Sequence, residues 1–179
     1  MRKIEEGEVR TLTSNVFSYG SNLNLSHLND WLSRQRLTVV QRAVIVRSLE
    51  LNRAVAHLAD HSLVWNVPTE TWRGGVANVV PQSGGGVYGI IYFTVSSSMV
   101  ALLDRKEQHP NLFRRQPIQV TLVENGAAVS AWAYMAADSY EKVSPPSSLY
   151  LETVIQGARH SGLPSHWLDM LTKVSVLDR

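Results

Sequence analysis

The sequence contains no cysteine, no long apolar run and no large excess of either charge. Without cysteine there are no disulfides and no cysteine-ligated metal, and such a composition fits a reducing compartment. No stretch reaches the roughly 18 apolar residues of a transmembrane helix, and the N-terminus lacks the apolar core that a signal peptide needs. These absences predict a cytoplasmic protein that does not associate with a membrane.

The charged residues are nearly balanced. The chain has 17 Lys and Arg residues against 15 Asp and Glu residues, which gives a formal net charge of +2. The basic residues form no block, so a nucleic-acid partner is not predicted. Hydrophobic residues make up 44% of the chain and charged residues 18%, which is typical of a folded domain. We therefore predict one domain over residues 1–179, with residues 1–14 as a loose N-terminal arm.

The apolar patterns predict strands with helices between and after them. Strands are predicted at residues 16–21, 43–47, 76–80, 87–95, 113–123 and 127–135. Helices are predicted at residues 25–32, at residues 99–107, and in two segments that begin near Ser148 and Ser165. Residues 81–86, with three consecutive glycines, predict a flexible hairpin loop. This arrangement indicates an α+β domain around a mixed sheet.

Two histidines lie in residues 51–61, a segment whose first part fits a strand or a helix equally well. On a helix, His57 and His61 would share one face, as the paired histidines of some zinc sites do. No third ligand follows at a suitable spacing, and a surface strand accommodates both side chains. We therefore predict a strand here and no metal site.

The stretch from Val16 to Leu23 reads Val-Phe-Ser-Tyr-Gly-Ser-Asn-Leu. An apolar strand that runs into Gly20 and then into small polar residues exposes several backbone N–H groups, which can hold a carboxylate or an oxyanion. Gly20 is expected to tolerate no side chain, because the anion has to approach the backbone closely and such a turn favours a positive φ at glycine. The alternative is a strand end followed by a helix cap at Asn24 or Ser26.

Glu107 is the candidate catalytic carboxylate. On the predicted helix over residues 99–107, Val100, Leu103 and Glu107 lie on one face at spacings of three and four. The carboxylate therefore ends an apolar stripe at the C-terminal end of the helix, which makes it the candidate general base. The alternative is a solvated glutamate at the end of a helix.

Four blocks of residues occur in a recognisable order. They are Phe17-Ser-Tyr-Gly-Ser-Asn-Leu23, Trp72-Arg-Gly-Gly-Val-Ala77, Leu103-Asp-Arg-Lys-Glu107, and Pro145-Pro-Ser-Ser-Leu-Tyr150 followed by Gly157-Ala158 and Gly162-Leu-Pro164. Together they resemble the γ-glutamylcyclotransferase family, whose signature is F-x-Y-G-S-N-L, and they cover most of the chain from residue 16 to residue 171.

The resemblance implies a single domain whose mixed, mostly antiparallel sheet curls into a small barrel with flanking helices. It implies an enzyme that cyclises a γ-glutamyl group to 5-oxoproline and releases an amino acid or an amine, without metal or cofactor. Glu107 falls on the family's catalytic glutamate, a general base and acid, and Asp104 falls on a structural aspartate. The residues implied to contact the substrate are Val16, Phe17, Ser18, Tyr19, Gly20, Ser21, Asn22 and Tyr150.

Gln108 departs from the family pattern, in which Gly commonly follows the catalytic glutamate. The expected partner is a small-molecule γ-glutamyl substrate, and a homodimer is left open. The leaving group could be an amino acid, an amine, a lysine side chain or a carrier-bound intermediate, and its pocket is expected between residues 65–73 and 108–115. The other alternative is a non-catalytic binding module with the same fold.

Overall fold

Five strands close into a barrel in the computed structural model, which describes residues 13–140 and 144–177. The strands are β1 (Thr13–Ser18), β2 (Arg53–Thr69), β3 (Gly74–Ser96), β4 (Phe113–Leu122) and β5 (Ala128–Ala136). The helices of these residues are α1 (Leu25–Ser33), α2 (Val39–Leu51), α3 (Ser97–Lys106), α4 (Ser148–His160) and α5 (Ser165–Thr172). A 3₁₀ turn, Ser21–Leu23, follows β1.

The strand order around the barrel is β1-β3-β2-β4-β5. All neighbouring strands are antiparallel except β1 and β5, which run parallel with Val16 opposite Trp132. The predicted α+β fold with a mixed, mostly antiparallel barrel is therefore confirmed. The closure of the sheet leaves β1 between β3 and β5, where Val16 and Phe17 are each 1% exposed. Burial on both faces explains why this strand reads as a continuous apolar run.

Helices α1, α4 and α5 pack apolar side chains into the core. The buried residues of α1 are Leu25, Leu28 and Leu32, and Asn24 caps this helix by accepting a hydrogen bond from the His27 N–H at 3.0 Å. One of the two predicted caps is therefore confirmed. Ser147 caps the start of α4 by accepting a hydrogen bond from the Tyr150 N–H, and Gly162 beyond the end of this helix has a φ of 71°. The left-handed conformation at this glycine ends the helix, as predicted.

The predicted strand at residues 43–47 is wrong, because these residues lie within α2. Thr38 and Gln41 form a capping box, with the Thr38 side chain accepting from the Gln41 N–H at 3.1 Å and the Gln41 side chain accepting from the Thr38 N–H at 2.9 Å. This local hydrogen bonding starts a helix whose β-branched residues only weakly oppose it. Val39 and Val44 are exposed, so their apolar character does not report a buried strand.

The predicted loop at residues 81–86 is also wrong, because β3 continues through it. The pairing of β2 with β3 shifts register between Ala59 opposite Gly86 and His61 opposite Pro81, so that β3 bulges. The Gly84 N–H donates to Asp60 Oδ1 at 2.9 Å, and Gly84 has a φ of 74°. The glycines therefore serve a bulge within a long two-stranded ribbon, for which glycine is well suited.

The ambiguous segment at residues 51–58 enters β2 at Arg53. His57 and His61 both lie on this strand, which agrees with the strand alternative. The His57 ring packs 4.7 Å from the Tyr88 ring, and His61 Nδ1 lies 2.8 Å from the Ala59 carbonyl oxygen.

Other local predictions agree with the structure. Helix α3, both strands of the hairpin at Asn125-Gly126 and helix α5 occur where they were expected. Of the predicted N-terminal arm, residues 13 and 14 belong to β1, and residues 1–12 lie outside the described part of the chain. No helix within the described ranges has the length and apolar character to cross a membrane.

Candidate active site

A cavity of about 340 Å³ lies at the end of β1 where the strand enters the 3₁₀ turn. Its walls come from the end of β1, the turn, helix α1, the end of β2 with the β2–β3 connection, and the end of α3 with the residues after it. Strand β3 contributes two residues, and β4, β5 and α4 contribute one each. The lining residues are Phe17, Ser18, Tyr19, Gly20, Ser21, Asn22, His27, Trp31, Arg34, Thr69, Thr71, Trp72, Val76, Ala77, Arg105, Lys106, Glu107, Gln108, Leu112, Phe113, Tyr134 and Tyr150.

The turn at Gly20, Ser21 and Asn22 forms one wall of this cavity. None of these three backbone N–H groups donates to a backbone carbonyl among the described residues, as expected for the first residues of a helical turn. The Tyr92 hydroxyl donates to the Asn22 carbonyl oxygen at 2.9 Å and holds the turn against β3. The turn is therefore held in position at the wall of the cavity, and no backbone carbonyl of the described residues engages its three N–H groups.

Gly20 has a φ of −115°, so the expectation of a positive φ at this glycine is wrong. The requirement for glycine comes from space instead. A Cβ atom at this position would lie 3.1 Å from Tyr150 Oη and 3.3 Å from Ala77 Cβ. Both distances are shorter than ordinary van der Waals contacts of a Cβ atom, since two carbon atoms pack optimally at about 3.5–4.0 Å.

Glu107 caps the C-terminal end of α3, and the backbone fixes its position. The Gln108 N–H donates to the Arg105 carbonyl at 3.3 Å, and the His109 N–H donates to the Asp104 carbonyl at 2.8 Å. These two bonds are the pair of a Schellman motif. Gln108 takes the left-handed conformation that this motif requires, with a φ of 51°. The motif therefore directs the chain away from the helix just after Glu107 and leaves the carboxylate at the cavity.

The Glu107 carboxylate has two polar neighbours. Asn22 Nδ2 donates to Glu107 Oε1 at 2.8 Å, and Lys106 Nζ lies 3.6 Å from the same oxygen. The Glu107 side chain is 16% exposed, so it reaches the cavity without being fully solvated. Asn22 Oδ1 is buried and accepts no hydrogen bond among the described residues. The alternative of a solvated glutamate at the end of a helix does not describe this environment.

Asp104 lies apart from the cavity. Its Oδ1 accepts a hydrogen bond from the Tyr134 hydroxyl at 2.7 Å and lies 3.0 Å from Arg115 Nε. Both partners tie α3 to the barrel strands β4 and β5. These contacts are those of a structural carboxylate, which supports the interpretation given to Asp104 from the sequence.

Aromatic side chains line the wall opposite α3. Tyr150 Oη accepts from the Ala77 N–H at 3.1 Å, and the Trp72 and Tyr150 ring centroids are 4.9 Å apart in an edge-to-face arrangement. The Tyr19 hydroxyl donates to the Tyr134 carbonyl oxygen. Burial raises the pKa of both Tyr19 and Tyr150 well above the usual value for tyrosine. Both phenols therefore stay neutral at physiological pH and are unsuited to act as proton acceptors.

His27 faces the cavity from α1 and packs against Trp72 at a ring-centroid distance of 5.1 Å. Burial, together with the positive charges of Lys106 and Arg34, lowers the pKa of His27 from 6.5 to about 4. His27 is therefore neutral at physiological pH.

The structure brings together almost all of the predicted site residues. Glu107, Tyr150 and residues 17–22 all line this same cavity. Val16 is the exception, because it is 1% exposed within the hydrophobic core and does not line the cavity. The two segments expected to hold the leaving group contribute as well, through Thr69, Thr71, Trp72, Gln108, Leu112 and Phe113.

Several lining residues were not predicted from the sequence. Lys106 directly precedes Glu107, and His27 lies on the helix after the turn, but neither was assigned a role. Tyr134 is brought to the site by the pairing of β5 with β1 and β4. Periodicity in the sequence offers no signal for such a long-range contact. Within the described part of the chain, no group of three His, Cys, Asp or Glu residues has the arrangement of a metal site.

Comparison with known proteins identifies the family. The family model described as gamma-glutamyl cyclotransferase, AIG2-like, matches residues 16–152. The gamma-glutamylcyclotransferase of Bos taurus is 28% identical over 167 residues, which cover 90% of this chain and 79% of that protein. The Mus musculus protein of the same name is 25% identical over 174 residues, covering 95% of this chain and 81% of that protein.

A solved structure named gamma-glutamyl cyclotransferase shares the fold. It superposes with a TM-score of 0.75 at 23% identity, and the match covers 94% of this chain and 91% of that structure. The family match spans the barrel, the turn, Glu107 and the start of α4. The chain therefore belongs to the gamma-glutamyl cyclotransferase, AIG2-like family and is an enzyme of that type.

Proposed function

We propose that this enzyme cyclises the γ-glutamyl group of a small substrate to 5-oxoproline, with Glu107 as general base and then general acid. The observation that carries the proposal is the position of the Glu107 carboxylate. It faces the same cavity as the donor-bearing turn and is held by Asn22 at 2.8 Å. One proton acceptor and one oxyanion-binding turn are the two groups that this reaction needs.

The substrate supplies its own nucleophile. Glu107 takes a proton from the α-ammonium group, and the resulting amine attacks the γ-carbonyl carbon and closes a five-membered ring. Negative charge then develops on the carbonyl oxygen, and we expect the backbone N–H groups of the turn over residues 20–22, which lines the cavity, to stabilise it. Well-oriented intramolecular attack can be worth an effective molarity on the order of 10⁵ to 10⁸ M, so holding the folded substrate provides much of the rate.

Collapse of the intermediate breaks the bond to the leaving nitrogen. The lactam nitrogen keeps one hydrogen and gives up two protons. One proton returns through Glu107 to the leaving nitrogen, which departs as an amine, and the other is taken up when that amine becomes ammonium in water. The products are 5-oxoproline and a free amine or amino acid, and no oxidant or added nucleophile is consumed.

The charges at the exposed rim favour an amino acid as the leaving group. Arg34 and Arg105 line the cavity and are solvent-exposed, and neither forms an ion pair with a carboxylate among the described residues. A leaving amino acid would bring a carboxylate to this rim, whereas a leaving diamine would bring a positive charge. This observation favours γ-glutamyl amino acids over γ-glutamyl amines.

A panel of substrates tests the proposal. The protein is mixed with γ-glutamyl-alanine, ε-(γ-glutamyl)-lysine and γ-glutamyl-ethylamide, and the release of 5-oxoproline is measured by chromatography. We expect the highest kcat/KM for γ-glutamyl-alanine. Absence of 5-oxoproline from every reaction would contradict the proposal and favour the non-catalytic binding module.

A further inference from the structure

We propose that Lys106 is the residue that binds the α-carboxylate of the γ-glutamyl group, in substrate and product alike. The inference rests on the proposed function for the identity of the ligand. It assigns a specificity-determining role to a residue beside the general base.

Lys106 is the innermost cation of the cavity. Its side chain is 9% exposed, whereas Arg34 and Arg105 are exposed at the rim. Placing an ammonium group away from water is costly unless it is paired and hydrogen-bonded. A lysine at this depth therefore needs partners that compensate for its lost hydration.

The protein supplies only part of that compensation. Lys106 Nζ donates to Ser21 Oγ at 3.2 Å, and it lies 3.6 Å from Glu107 Oε1, beyond a normal hydrogen bond. An ammonium group carries three donors, and among the described residues Ser21 is the one acceptor within hydrogen-bond distance. The remaining donors of Lys106 are left for a ligand.

The spacing of Lys106 and Glu107 suits the charged end of a γ-glutamyl group. That end carries an ammonium and a carboxylate on a single carbon atom, a few ångströms apart. When Glu107 accepts a proton from the ammonium, the carboxylate on the same carbon must lie close to Glu107. The nearest cation is Lys106 Nζ, 3.6 Å from Glu107 Oε1. Binding therefore replaces the 3.6 Å contact between Lys106 and Glu107 by two closer ion pairs. Lys106 then pairs with the substrate α-carboxylate, and Glu107 pairs with the substrate ammonium group.

The reaction changes one of these two ion pairs. Cyclisation converts the ammonium into a neutral lactam nitrogen, so the attraction to Glu107 is lost. The α-carboxylate takes no part in bond making and stays opposite Lys106. Lys106 therefore binds substrate, intermediate and product about equally, and such uniform binding affects KM more than kcat.

A thermodynamic cycle that combines a substitution of Lys106 with a change in the substrate α-carboxylate tests this assignment. Lys106→Met and the wild type are each assayed with γ-glutamyl-alanine and with its analogue in which the glutamyl α-carboxylate is an amide. A hydrogen bond between charged groups is worth roughly ten- to a hundredfold in affinity. In the wild type, we expect the amide to raise KM by that factor. In Lys106→Met, both substrates should have the same raised KM, and Lys106→Arg should restore part of the discrimination.

Arg105→Met is the matched control, because Arg105 is the neighbouring cation of the same cavity. It should keep the wild-type ratio of the two KM values, since it faces the rim and not the α-carboxylate. Equal discrimination by the wild type and Lys106→Met would overturn the assignment.

A binding measurement separates this inference from the proposed function. Calorimetry with 5-oxoproline and 5-oxoprolinamide needs no turnover and can be run on each folded variant. If the wild type turns over no γ-glutamyl compound, the proposed function fails. The Lys106 assignment then still stands if 5-oxoproline binds the wild type at least tenfold more tightly than the amide and Lys106→Met abolishes the difference. It falls if the two ligands bind the wild type equally or not at all.

Discussion

Replacing Glu107 by Gln is the most direct test of the mechanism, because the change is nearly isosteric. The Gln side chain keeps an oxygen that can accept the hydrogen bond from Asn22 Nδ2, which lies 2.8 Å from Glu107 Oε1. It cannot take a proton from the substrate at neutral pH. The Schellman motif after α3 involves only backbone atoms, so the position of the side chain should be preserved.

The expected loss of rate follows from the two tasks of the carboxylate. A positioned general acid or base typically contributes roughly 10² to 10⁴ in rate, which corresponds to about 2.7 to 5.4 kcal/mol of activation free energy. In the proposed mechanism Glu107 accepts the proton in one step and returns it in the next, so kcat should fall by at least about 10². The thermal stability should fall slightly, because Lys106 loses the carboxylate that lies 3.6 Å away.

The assay compares kcat and product affinity for the same protein samples. 5-Oxoproline release from γ-glutamyl-alanine gives kcat, and calorimetry with 5-oxoproline gives the affinity, which should change far less than kcat. Asp104→Asn is the matched control, because it removes a carboxylate that contacts Tyr134 and Arg115 and does not line the cavity. Its turnover should stay within about tenfold of the wild type. Normal turnover by Glu107→Gln would refute the proposed proton transfer.

Three further substitutions test neighbouring features of the site. Gly20→Ala adds a Cβ 3.1 Å from the buried Tyr150 Oη, so the melting temperature should fall somewhat, and calorimetry should show that 5-oxoproline binding weakens by more than stability does. Equal affinity would contradict the role of the turn. The pKa of His27 is lowered to about 4, so the unfolded state binds the extra proton between about pH 6.5 and pH 4 and stability falls as the pH is lowered through that window. In His27→Gln, the unfolding free energy from urea titrations should therefore decrease less between about pH 6.5 and pH 4 than it does in the wild type. An equal decrease in both proteins would contradict this prediction. Gln108→Gly relieves a left-handed φ of 51° and should raise the unfolding free energy by up to about 1 kcal/mol, seen as a melting temperature higher by about 2–4 °C; a lower melting temperature would argue against strain at this residue.

The parts of the site that the sequence predicted are those that local chemistry determines. The turn after β1 requires only an apolar strand that runs into Gly20 and small polar residues. The position of Glu107 follows from the spacing of Val100 and Leu103 on α3, both of which are buried. Each of these two patterns is contained in a short stretch of sequence. The family resemblance then indicated that the two stretches belong to one site.

The parts that were missed depend on contacts far apart in the sequence. Tyr134 reaches the cavity because β5 pairs with β1, a contact across more than a hundred residues that no periodicity reveals. Residues 43–47 were assigned to a strand on their β-branched composition, whereas the capping box at Thr38 starts a helix. The glycine-rich residues 81–86 have the composition of a loop, but Asp60 stabilises them as a bulge between paired strands.

Gln108 occupies the position at which the resemblance described for the sequence implies a glycine, and the backbone conformation at this residue explains why glycine would suit it. The residue after Glu107 occupies the left-handed position of the Schellman motif, for which glycine is the least costly choice. Gln108 adopts the same conformation, so the motif and the direction of the Glu107 side chain are kept. Its own side chain is exposed and lines the cavity rim. We therefore expect this residue to affect stability and the choice of leaving group, while the proton transfer proposed for Glu107 keeps its geometry.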